Sequence, residues 1–336
     1  MIMRYAVLVA PHQNQRYNAG VQTLTLSELT LMLSPYGITP EFINLNGLDL
    51  ISFEAEESRR TEMLLSRLSS LYVLFKLQND ALYPVQLEYS KVVEDDISGV
   101  LKYKGKTNEV FTSLLINAAV FSSDYAGRFD EKLNILDPIC GRGTTLFEAL
   151  KKDYNAYGVE IDKADIDELN KYFKKYLEFH KLKHSVTKNS MTVNGKSGGA
   201  RTSYKLALDS KQLKESPLEL INIHGSTTNC PSYFKKDFFH AIAADLPYGV
   251  QHAGQDGRKP IAPASLLEKC APAWAHVLKP GGAIAISFNV NTLPLHTARN
   301  LLYKNGLKPL EGGVYDTFEH WVEQAVTRDI AVAIKE

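Results

Sequence analysis

The sequence predicts an α/β fold with a doubly wound, mostly parallel sheet that follows a small N-terminal α+β unit. Two apolar runs typical of buried strands, residues 135–136 and 241–244, each end in a polar turn marked by Gly or Pro. Helix-type and strand-type segments alternate around them, which favours a parallel sheet covered by helices on both faces. In such sheets the turns lie together at the carboxyl ends of the strands, so a ligand site is expected there.

Length and composition are those of an ordinary folded protein. The 336 residues are 44% hydrophobic, enough for one large domain or two. The three cysteines, Cys140, Cys230 and Cys270, are widely spaced and form no Cys-x-x-Cys pair, so neither a zinc site nor a redox centre is predicted. A reducing, cytoplasmic location fits this cysteine usage.

The apolar stretches predict no membrane segment. The run at residues 5–10 is too short for a signal sequence or a membrane span, and no later run approaches ~18 uninterrupted apolar residues. The N-terminal run is therefore predicted to be the first strand.

The chain carries no net charge, with 38 basic and 38 acidic residues, so it lacks the strong positive field of a protein held on nucleic acid by bulk charge. Residues 171–215 are locally basic. The cations of this segment are Lys171, Lys174, Lys175, Lys181, Lys183, Lys188, Lys196, Arg201, Lys205, Lys211 and Lys214. Such a run can track phosphates, but a merely solvated face is an equal alternative.

Residues 1–90 are predicted to form a small α+β domain of ferredoxin-like order. Its strands are expected at residues 4–10, 41–46, 50–54 and 71–77. Thr25 and Glu28 have the spacing of a capping box at the start of the first helix, with Gly37 as its stop, and a second helix is expected at residues 58–69. No residue set in this unit has catalytic composition, so a packing or docking role is favoured.

A linker is predicted at residues 91–104, followed by a second domain at residues 105–336. Its first elements are expected to be a helix from residue 106, a strand at 134–136, a helix at 144–151, a strand at 156–160 and a helix at 165–181. Its last are expected to be a helix at 264–277, a strand at 283–288 and a hairpin over 321–334. Residues 188–217 have low hydrophobicity and are predicted to be a flexible insertion.

The turn after residue 136 has the composition of a cofactor-binding loop. Gly141 and Gly143 let the backbone approach a ligand, and the following helix offers free N–H donors. A nicotinamide dinucleotide site would need a third Gly where Leu146 stands, and the Gly-Lys-Ser/Thr of a phosphate-binding loop is absent. Taken alone, the two glycines could equally mark a tight structural turn.

Acidic residues at two strand ends indicate which cofactor this loop binds. Glu160 ends the next strand, about 20 residues on, where a carboxylate can accept hydrogen bonds from ribose hydroxyls, and Asp137 can bind a cationic amino group. Together with the second turn, these residues indicate S-adenosyl-L-methionine. The predicted cofactor-binding residues of these turns are Asp137, Cys140, Gly141, Gly143, Thr144, Glu160, Ile161 and Asp245.

The second turn, Asp245-Leu246-Pro247-Tyr248, is predicted to be catalytic. Methyl transfer to an aromatic amine requires mainly that nucleophile, methyl carbon and leaving sulfur be aligned. Asp245 and the carbonyl of Leu246 can accept hydrogen bonds from the amine, Pro247 fixes the turn, and Tyr248 can stack on the base. The alternative is an ordinary Pro-bearing turn with a packed tyrosine.

These two motifs resemble a known family. The string Asp-Pro-x-Cys-Gly-x-Gly-Thr-x-x-x-Glu-Ala at residues 137–149 is similar to motif I of the THUMP-associated RNA guanine-N2 methyltransferases. Asp-Leu-Pro-Tyr looks like a variant of the Asp/Asn-Pro-Pro-Tyr/Phe motif of amino-methylating enzymes, with Leu246 in place of the first proline. The resemblance covers residues 102–336. It implies a Rossmann-like, seven-stranded methyltransferase domain that uses S-adenosyl-L-methionine to methylate guanosine N2 in tRNA.

The resemblance carries looser correspondences as well. Thr107 lies in a Lys-Thr-Asn-Glu segment similar to the one that closes over the methionine end of the cofactor in the family. Ser226 takes the place of the Asp that binds the adenine amino group. The N-terminal unit resembles the small domain that precedes THUMP, but the chain is too short for a full THUMP domain as well, so a helper protein could supply part of the RNA grip.

Other functions remain as alternatives. The same clamp would serve an adenine-N6 DNA methyltransferase, although the chain has no large target-recognition domain. A catalytically idle module that binds the cofactor or RNA is the alternative from another class. Covalent catalysis by Cys230 is disfavoured because this residue precedes a strand rather than following one. His180 and His184 lack the order of a metalloprotease motif, so no metal is predicted.

Overall fold

A computed structural model of the chain describes residues 1–10, 15–87, 91–99, 106–193, 195–247 and 261–336. Tyr248, predicted to stack on a base, lies outside the described residues.

The N-terminal unit is an antiparallel sheet with two helices. Its elements are β1 (Ile2–Val9), α1 (Gln15–Leu33), β2 (Glu41–Leu45), β3 (Leu48–Glu56), α2 (Arg59–Leu65), β4 (Leu71–Gln78) and β5 (Ala81–Pro84). The strand order is β2-β3-β1-β4-β5, with every neighbouring pair antiparallel. Without β5, the elements follow the β-α-β-β-α-β order of split βαβ folds.

The predicted capping box at Thr25 is wrong. Helix α1 begins at Gln15, so Thr25 lies inside it, and its hydroxyl bonds the carbonyl of Val21 one turn earlier at 2.6 Å. A Thr hydroxyl often makes this backward bond within a helix, which the Thr-x-x-Glu spacing alone does not distinguish from a cap. The stop at Gly37 is confirmed, because this residue adopts φ +67° just past the end of the helical turn.

The larger part of the chain alternates helices and strands. Its first elements are α3 (Asp96–Gly99), α4 (Glu109–Phe121), β6 (Asn134–Asp137), α5 (Thr144–Lys151), β7 (Asn155–Glu160), α6 (Lys163–Phe179), β8 (Lys183–Val193), β9 (Lys196–Ala207) and α7 (Ser210–Glu215). Its later elements are β10 (Leu218–His224), α8 (Cys230–Tyr233), β11 (Phe239–Asp245), α9 (Pro263–Val277), β12 (Leu278–Asn289), α10 (Leu295–Tyr303), β13 (Leu307–Pro309), β14 (His320–Glu323) and β15 (Val326–Lys335).

The central strands form a Rossmann-like sheet, which confirms the predicted fold class. Strands β10, β7, β6, β11 and β12 are parallel neighbours, and β15 runs antiparallel between β12 and β13. The chain moves outward from β6 through β7 to β10 and then returns to β11 on the other side of β6. The strand order therefore reverses at β6 and β11, the position where doubly wound sheets bind ligands.

Each face of this sheet packs into its own apolar cluster. Alternate residues of one strand point to opposite faces, so Ile135 joins the cluster that includes helices α4, α5 and α6, whereas Leu136 joins the cluster that includes α9 and α10. Among the described helices, none is long and apolar enough to span a membrane.

The predicted flexible insertion at residues 188–217 is wrong. Most of it is a long antiparallel hairpin, β8–β9, which extends the sheet beyond β10. Thr202, Tyr204 and Leu206 are buried on one face of β9, and the Tyr204 ring packs edge-on against Phe173 of α6 at 5.0 Å. Period-2 burial of three residues is enough to order the strand, even though the segment as a whole is polar.

A buried polar network joins the N-terminal unit to the Rossmann-like part. The Glu28 carboxylate accepts hydrogen bonds from the backbone N–H of Ser69 at 3.0 Å and from the side-chain amide of Asn117, which lies on α4. The Lys152 ammonium donates to the carbonyl of Arg67 at 2.7 Å. Burial raises the pKa of Glu28 and lowers that of Lys152 to about 7. These contacts fix the two parts against each other.

Candidate active site

The predicted acidic residues lie together at one edge of the sheet. Asp137, Glu160 and Asp245 are the last residues of β6, β7 and β11, and β6 lies between the other two strands. Parallel neighbouring strands are about 4.8 Å apart, so the three carboxylates come from consecutive positions along this edge. The switch point at the carboxyl ends of β6 and β11 is therefore acidic.

Asp137 is buried at the centre of this group. Its Oδ1 accepts a hydrogen bond from the N–H of Ile139 at 3.0 Å, and its carboxyl is also hydrogen-bonded by the Thr145 side chain. Burial raises the pKa of Asp137 to about 7, and the negative charges of Asp245 and Glu160 add to the shift. A cation that binds beside this carboxyl would therefore favour its ionised form.

The two glycines shape the turn after β6. Gly141 and Gly143 have φ +50° and +88°, the left-handed region that Gly adopts without strain. A Cβ on Gly143 would lie 2.7 Å from Leu169 Cδ1, whereas one on Gly141 would meet no atom within 4 Å. The backbone at Gly141 therefore borders open space, next to the N-terminus of α5 at Thr144.

Cys140 attaches the turn to strand β7. Its N–H donates to the carbonyl of Val159 at 3.0 Å, and its carbonyl accepts from the N–H of Gly143 at 2.8 Å. A Cβ on Gly158 would lie 2.6 Å from the Cys140 sulfur, so the thiol fits against β7 only because residue 158 is Gly. The contacts described for Cys140 are with the protein itself and hold the turn in place.

Glu160 connects the turn to the next strand. Its Oε2 accepts from the N–H of Gly141 at 2.9 Å and its Oε1 from the N–H of Asp162 at 2.8 Å. A carboxylate oxygen has two lone pairs, so each retains capacity for a hydroxyl donor. Burial raises the pKa of Glu160. The side chain of Ile161, beside it, is 60% exposed and offers an apolar surface at the same edge.

Ser226 belongs to the same edge. The N–H of Gly225 donates to the carbonyl of Glu160 at 2.8 Å, which ties the loop after β10 to the end of β7. The Ser226 hydroxyl is within 2.8 Å of the Thr228 hydroxyl at the start of a short helical turn. The structure therefore places Ser226 next to Glu160 and Ile161.

Asp245 is held by two hydroxyl groups from distant parts of the chain. The Thr107 hydroxyl donates to its Oδ2 and the Ser287 hydroxyl to its Oδ1. Ser287 is fully buried on β12, directly opposite Asp245 in the strand register. The two donors fix the plane of the carboxylate, which is only partly buried.

The residues after Asp245 take up different environments. The N–H of Leu246 donates to the carbonyl of Ser287 at 2.9 Å, and its side chain is buried in the apolar cluster on the α9 face. The side chain of Pro247 is half-buried. A large apolar residue at position 246 thus anchors the turn in the core.

Three further residues, absent from the sequence prediction, form a group that interacts with Asp245 through His320. The rings of Phe111 and His320 are 5.1 Å apart, and the Arg328 guanidinium lies 4.3 Å above the Phe111 ring. Burial lowers the pKa of His320 to about 4, and the positive charge of Arg328 adds to the shift, while the Asp245 charge opposes it. His320 is therefore neutral at physiological pH.

The residues that the sequence disfavoured as functional are accounted for by other contacts. Cys230 is buried, and burial raises the pKa of its thiol to about 12, so it is not an ionised nucleophile. His180 contacts Asp96 at 3.2 Å, and His184 Nδ1 is 2.8 Å from the carbonyl of Leu182. In the part of the chain that the structure describes, no cluster of three or more His, Cys, Asp or Glu residues could hold a metal.

A cavity of about 730 Å³ lies elsewhere, between the N-terminal unit and the Rossmann-like part. Its lining includes Arg67, Lys152 and Asp153. Lys152 and Asp153 precede β7 at the amino edge of the sheet, whereas Glu109 and Val110 begin α4, and none of the predicted site residues that the structure describes lines the cavity. The cavity is therefore not the predicted site.

Neither a protein-family model nor a curated protein sequence matches the chain. Similar solved structures include TrmN from Thermus thermophilus, with 13% identity, a TM-score of 0.40, and coverage of 91% of this chain and 64% of that one. A methyltransferase homologue protein from Pyrococcus horikoshii shows 12% identity and a TM-score of 0.40. The match covers 100% of this chain and 87% of that one. A TehB-like SAM-dependent methyltransferase from Corynebacterium glutamicum shows 13% identity and a TM-score of 0.36. The match covers 62% of this chain and 86% of that one. Function is therefore inferred from the site itself.

Proposed function

We propose that this protein is an S-adenosyl-L-methionine-dependent methyltransferase that modifies an exocyclic amine of a nucleobase in RNA, with guanosine N2 in tRNA as its target. The observation that carries the proposal is the meeting of Asp137 and Asp245 at the switch point of the sheet, with Glu160 on the neighbouring strand. One turn can thereby bind a cationic cofactor while the other presents an amine to it.

The residues around β6 and β7 fit the groups of this cofactor. Asp137 would pair with the amino group of its methionine part, and Glu160 would accept hydrogen bonds from the ribose hydroxyls. The backbone at Gly141 borders the space that the cofactor would fill. Ile161 and Ser226 would lie against the adenine. Gly143, Cys140 and Thr144 would hold the turn and the start of α5 in the shape that this contact needs.

The cofactor supplies an electrophilic methyl group on a sulfonium. Asp245 and the carbonyl of Leu246 would accept hydrogen bonds from the substrate amine and so direct its lone pair toward that methyl group. Pro247 would keep the turn rigid, and Tyr248 would stack on the base. Thr107 and Ser287 hold the Asp245 carboxylate in one orientation before the substrate arrives, which is the positioning that a displacement reaction requires.

The choice of guanosine N2 and tRNA rests on the resemblance of residues 137–149 and of the Asp-Leu-Pro-Tyr turn to the guanine-N2 enzymes. The proposal includes a cytoplasmic location, which suits three free cysteines, and a helper protein that would supply RNA contacts beyond those of this chain. We also propose that residues 1–90 and 105–336 act as separate domains joined by residues 91–104.

Transfer of labelled methyl groups from the cofactor to total tRNA tests this function. We expect the purified protein to form N2-methylguanosine, identified by nucleoside analysis of the digested RNA. The appearance of N6-methyladenine in DNA instead would favour the adenine-N6 alternative. Tight binding of S-adenosylhomocysteine without transfer to any RNA or DNA would reject the activity and favour a catalytically idle module.

A further inference from the structure

The β8–β9 hairpin is a cationic surface at the edge of the sheet. Between residues 181 and 207 the chain has no Asp or Glu, and its cations are Lys181, Lys183, Lys188, Lys196, Arg201 and Lys205. The hairpin segment therefore has a net positive charge, because it contains no acidic residue to balance its lysines and arginine.

Helix α6, which precedes the hairpin, is different. Its cations stand among acidic residues: Lys171 lies 3.5 Å from Glu168, and Lys174 lies 3.7 Å from Glu178. Asp165 and Asp167 add further negative charge. The lysines of α6 are thus the solvated face of a mixed-charge helix, and the basic character of residues 171–215 is concentrated in the hairpin.

One face of the hairpin points away from α6. Opposite residues in an antiparallel register share a face, and Tyr204, which packs on α6, lies opposite Val186. The other face, here called the outer face, consists of Lys183, Ser185, Thr187, Asn189, Arg201, Ser203 and Lys205. The side chains contributed by β8 are all exposed. The outer face therefore combines cations with hydroxyl and amide groups. Met191 continues this face along β8, is partly buried and packs against the apolar cluster on the α9 side.

The hairpin adjoins the candidate active site. In register, Glu160 of β7 lies beside His224 of β10, His224 beside Ala200 of β9, and Ala200 beside Ser190 of β8. Three strand spacings thus separate Glu160 from β8, roughly 14 Å. A polymer that lies on the hairpin would extend over the edge of the sheet that carries the acidic residues.

We propose that the outer face of the β8–β9 hairpin binds the phosphate backbone of the RNA substrate, an inference that rests on the proposed function. Lysine and arginine contact phosphates, and Ser, Thr and Asn side chains add hydrogen bonds to phosphate and sugar oxygens. Charge complementarity favours a polyanion over a protein partner, because protein interfaces are depleted in lysine and rich in apolar anchors. The large apolar residue of this face, Met191, packs against the protein's own apolar cluster. The hairpin would hold the RNA while a nucleotide reaches the Asp245 turn.

The test compares two triple variants of the full-length protein for binding to total tRNA. In the hairpin variant, the three cations of the outer face are replaced together: Lys183→Gln, Arg201→Gln and Lys205→Gln. The matched control combines Lys171→Gln, Lys174→Gln and Lys175→Gln on α6, which removes the same charge from the same stretch of sequence. A charge-preserving variant with Lys183→Arg, Arg201→Lys and Lys205→Arg shows whether loss of charge or a change in the hairpin backbone is responsible.

We expect the hairpin variant to bind total tRNA at least about tenfold more weakly at 0.1 M salt. The slope of log affinity against log salt should fall in magnitude by about two to three, since each lost phosphate contact contributes about 0.7–0.9. The α6 control and the charge-preserving variant should keep the wild-type affinity and slope. All variants should bind S-adenosylhomocysteine equally, which shows that the fold is intact.

Wild-type affinity and salt slope in the hairpin variant would overturn the docking surface while leaving the methyltransferase proposal in place. If that variant also formed larger oligomers, the cations would serve to protect an exposed edge strand from pairing with another chain. Failure of the wild-type protein to bind any tRNA, with S-adenosylhomocysteine still bound, would instead overturn the RNA substrate itself and the docking surface with it.

Discussion

In the proposed reaction, Asp245 is the residue whose position matters most for the substrate amine. Its two carboxylate oxygens are fixed separately, by a hydroxyl at the start of α4 and by one in the middle of the sheet. A carboxylate held in this way accepts a hydrogen bond from one direction without reorganising. In the proposed reaction Ser287 is a positioning residue, because its side chain is fully buried and its hydroxyl donates to the Asp245 carboxylate.

We expect Asp245→Ala to lower kcat by roughly 10²-fold or more, because the amine loses its acceptor and its orientation. Ser287→Ala should lower kcat by about tenfold, since the carboxylate remains but can rotate. Single-turnover kinetics with tRNA would measure both effects, and S-adenosylhomocysteine titrations should give nearly wild-type affinity. Equal kcat in wild type and Asp245→Ala would contradict the assignment.

Asp137 gives the site a predictable pH dependence. Its pKa is raised to about 7 in the protein without cofactor, so the carboxyl is mostly protonated below that pH. A cationic amino group favours the ionised form, so cofactor binding must release a proton at lower pH. Affinity for S-adenosylhomocysteine should therefore rise between pH 5.5 and about 7.5, by up to about tenfold per pH unit on the acidic side.

Calorimetry in buffers of different ionisation enthalpy would count the released protons. Asp137→Asn should bind more weakly and lose this pH dependence. A wild-type affinity that stays constant over the same range would show that Asp137 does not meet the amino group.

At the scale of elements, the turn between β6 and α5 depends on how closely it approaches β7. Cys140 and Leu146 pack against the α-carbon of Gly158, where even a methyl group would lie 2.6 Å from the Cys140 sulfur and 2.8 Å from Leu146 Cδ1. The proposed cofactor loop is therefore supported by a glycine that lies outside the Gly-x-Gly motif.

Gly158→Ala should push the turn outward and weaken S-adenosylhomocysteine binding by about tenfold, consistent with a local overpacking cost of roughly 1–3 kcal/mol. Gly127→Ala is the matched control, because a Cβ there meets no atom within 4 Å. Adding Cys140→Ala to Gly158→Ala removes the closest clashing atom and should restore part of the affinity. Unchanged binding in the Gly158→Ala protein would show that the turn adapts without cost.

The sequence allowed the elements that carry the site to be predicted, but not all the contacts between them. Asp137, Glu160 and Asp245 were predictable because each follows an apolar run in the chain, and parallel strands bring such ends together. Ser287 and His320 were not, because their positions depend on strand register and on the packing of residues far apart in sequence. The only available signal for Ser287 was a polar residue inside the apolar run of β12.

For the hairpin and for the start of the first helix, the sequence predictions were wrong. Residues 188–217 looked flexible because their average composition is polar, yet three alternating buried side chains on β9 suffice when α6 is there to cover them. The start of α1 was misplaced because a Thr hydroxyl can bond either forward as a cap or backward within a helix. In both segments the structure depends on contacts with residues elsewhere in the chain, which the local sequence does not reveal.

At the scale of the whole molecule, the two parts of the chain are joined by a buried charged network rather than by apolar packing alone. Glu28 accepts hydrogen bonds from Ser69 and Asn117, and its carboxylate interacts electrostatically with Lys152. Polar groups buried at such a junction stabilise only the arrangement that satisfies all of them. The N-terminal unit therefore has one defined position against α4.

We expect Glu28→Ala to lower the free energy of unfolding by about 3 kcal/mol. The change leaves the N–H and the hydroxyl of Ser69 without their acceptor, removes one acceptor of the Asn117 amide and takes away the negative charge that faces Lys152. Urea denaturation monitored by circular dichroism would measure the change. Glu41→Ala, at an exposed ion pair with Arg4 of 3.6 Å, is the control and should change it by less than about 0.5 kcal/mol. A similar decrease in the free energy of unfolding in both variants would contradict a stabilising role of the buried network.

The glycine at position 199 links the edge of the molecule to its centre. It has φ +138°, and a Cβ there would lie 2.1 Å from the carbonyl oxygen of His224, so the hairpin backbone presses directly on the strand end that precedes Ser226. A ligand that shifts one of these segments must perturb the other. Any such coupling is reciprocal, so the factor by which tRNA changes cofactor affinity must equal the factor by which cofactor changes tRNA affinity.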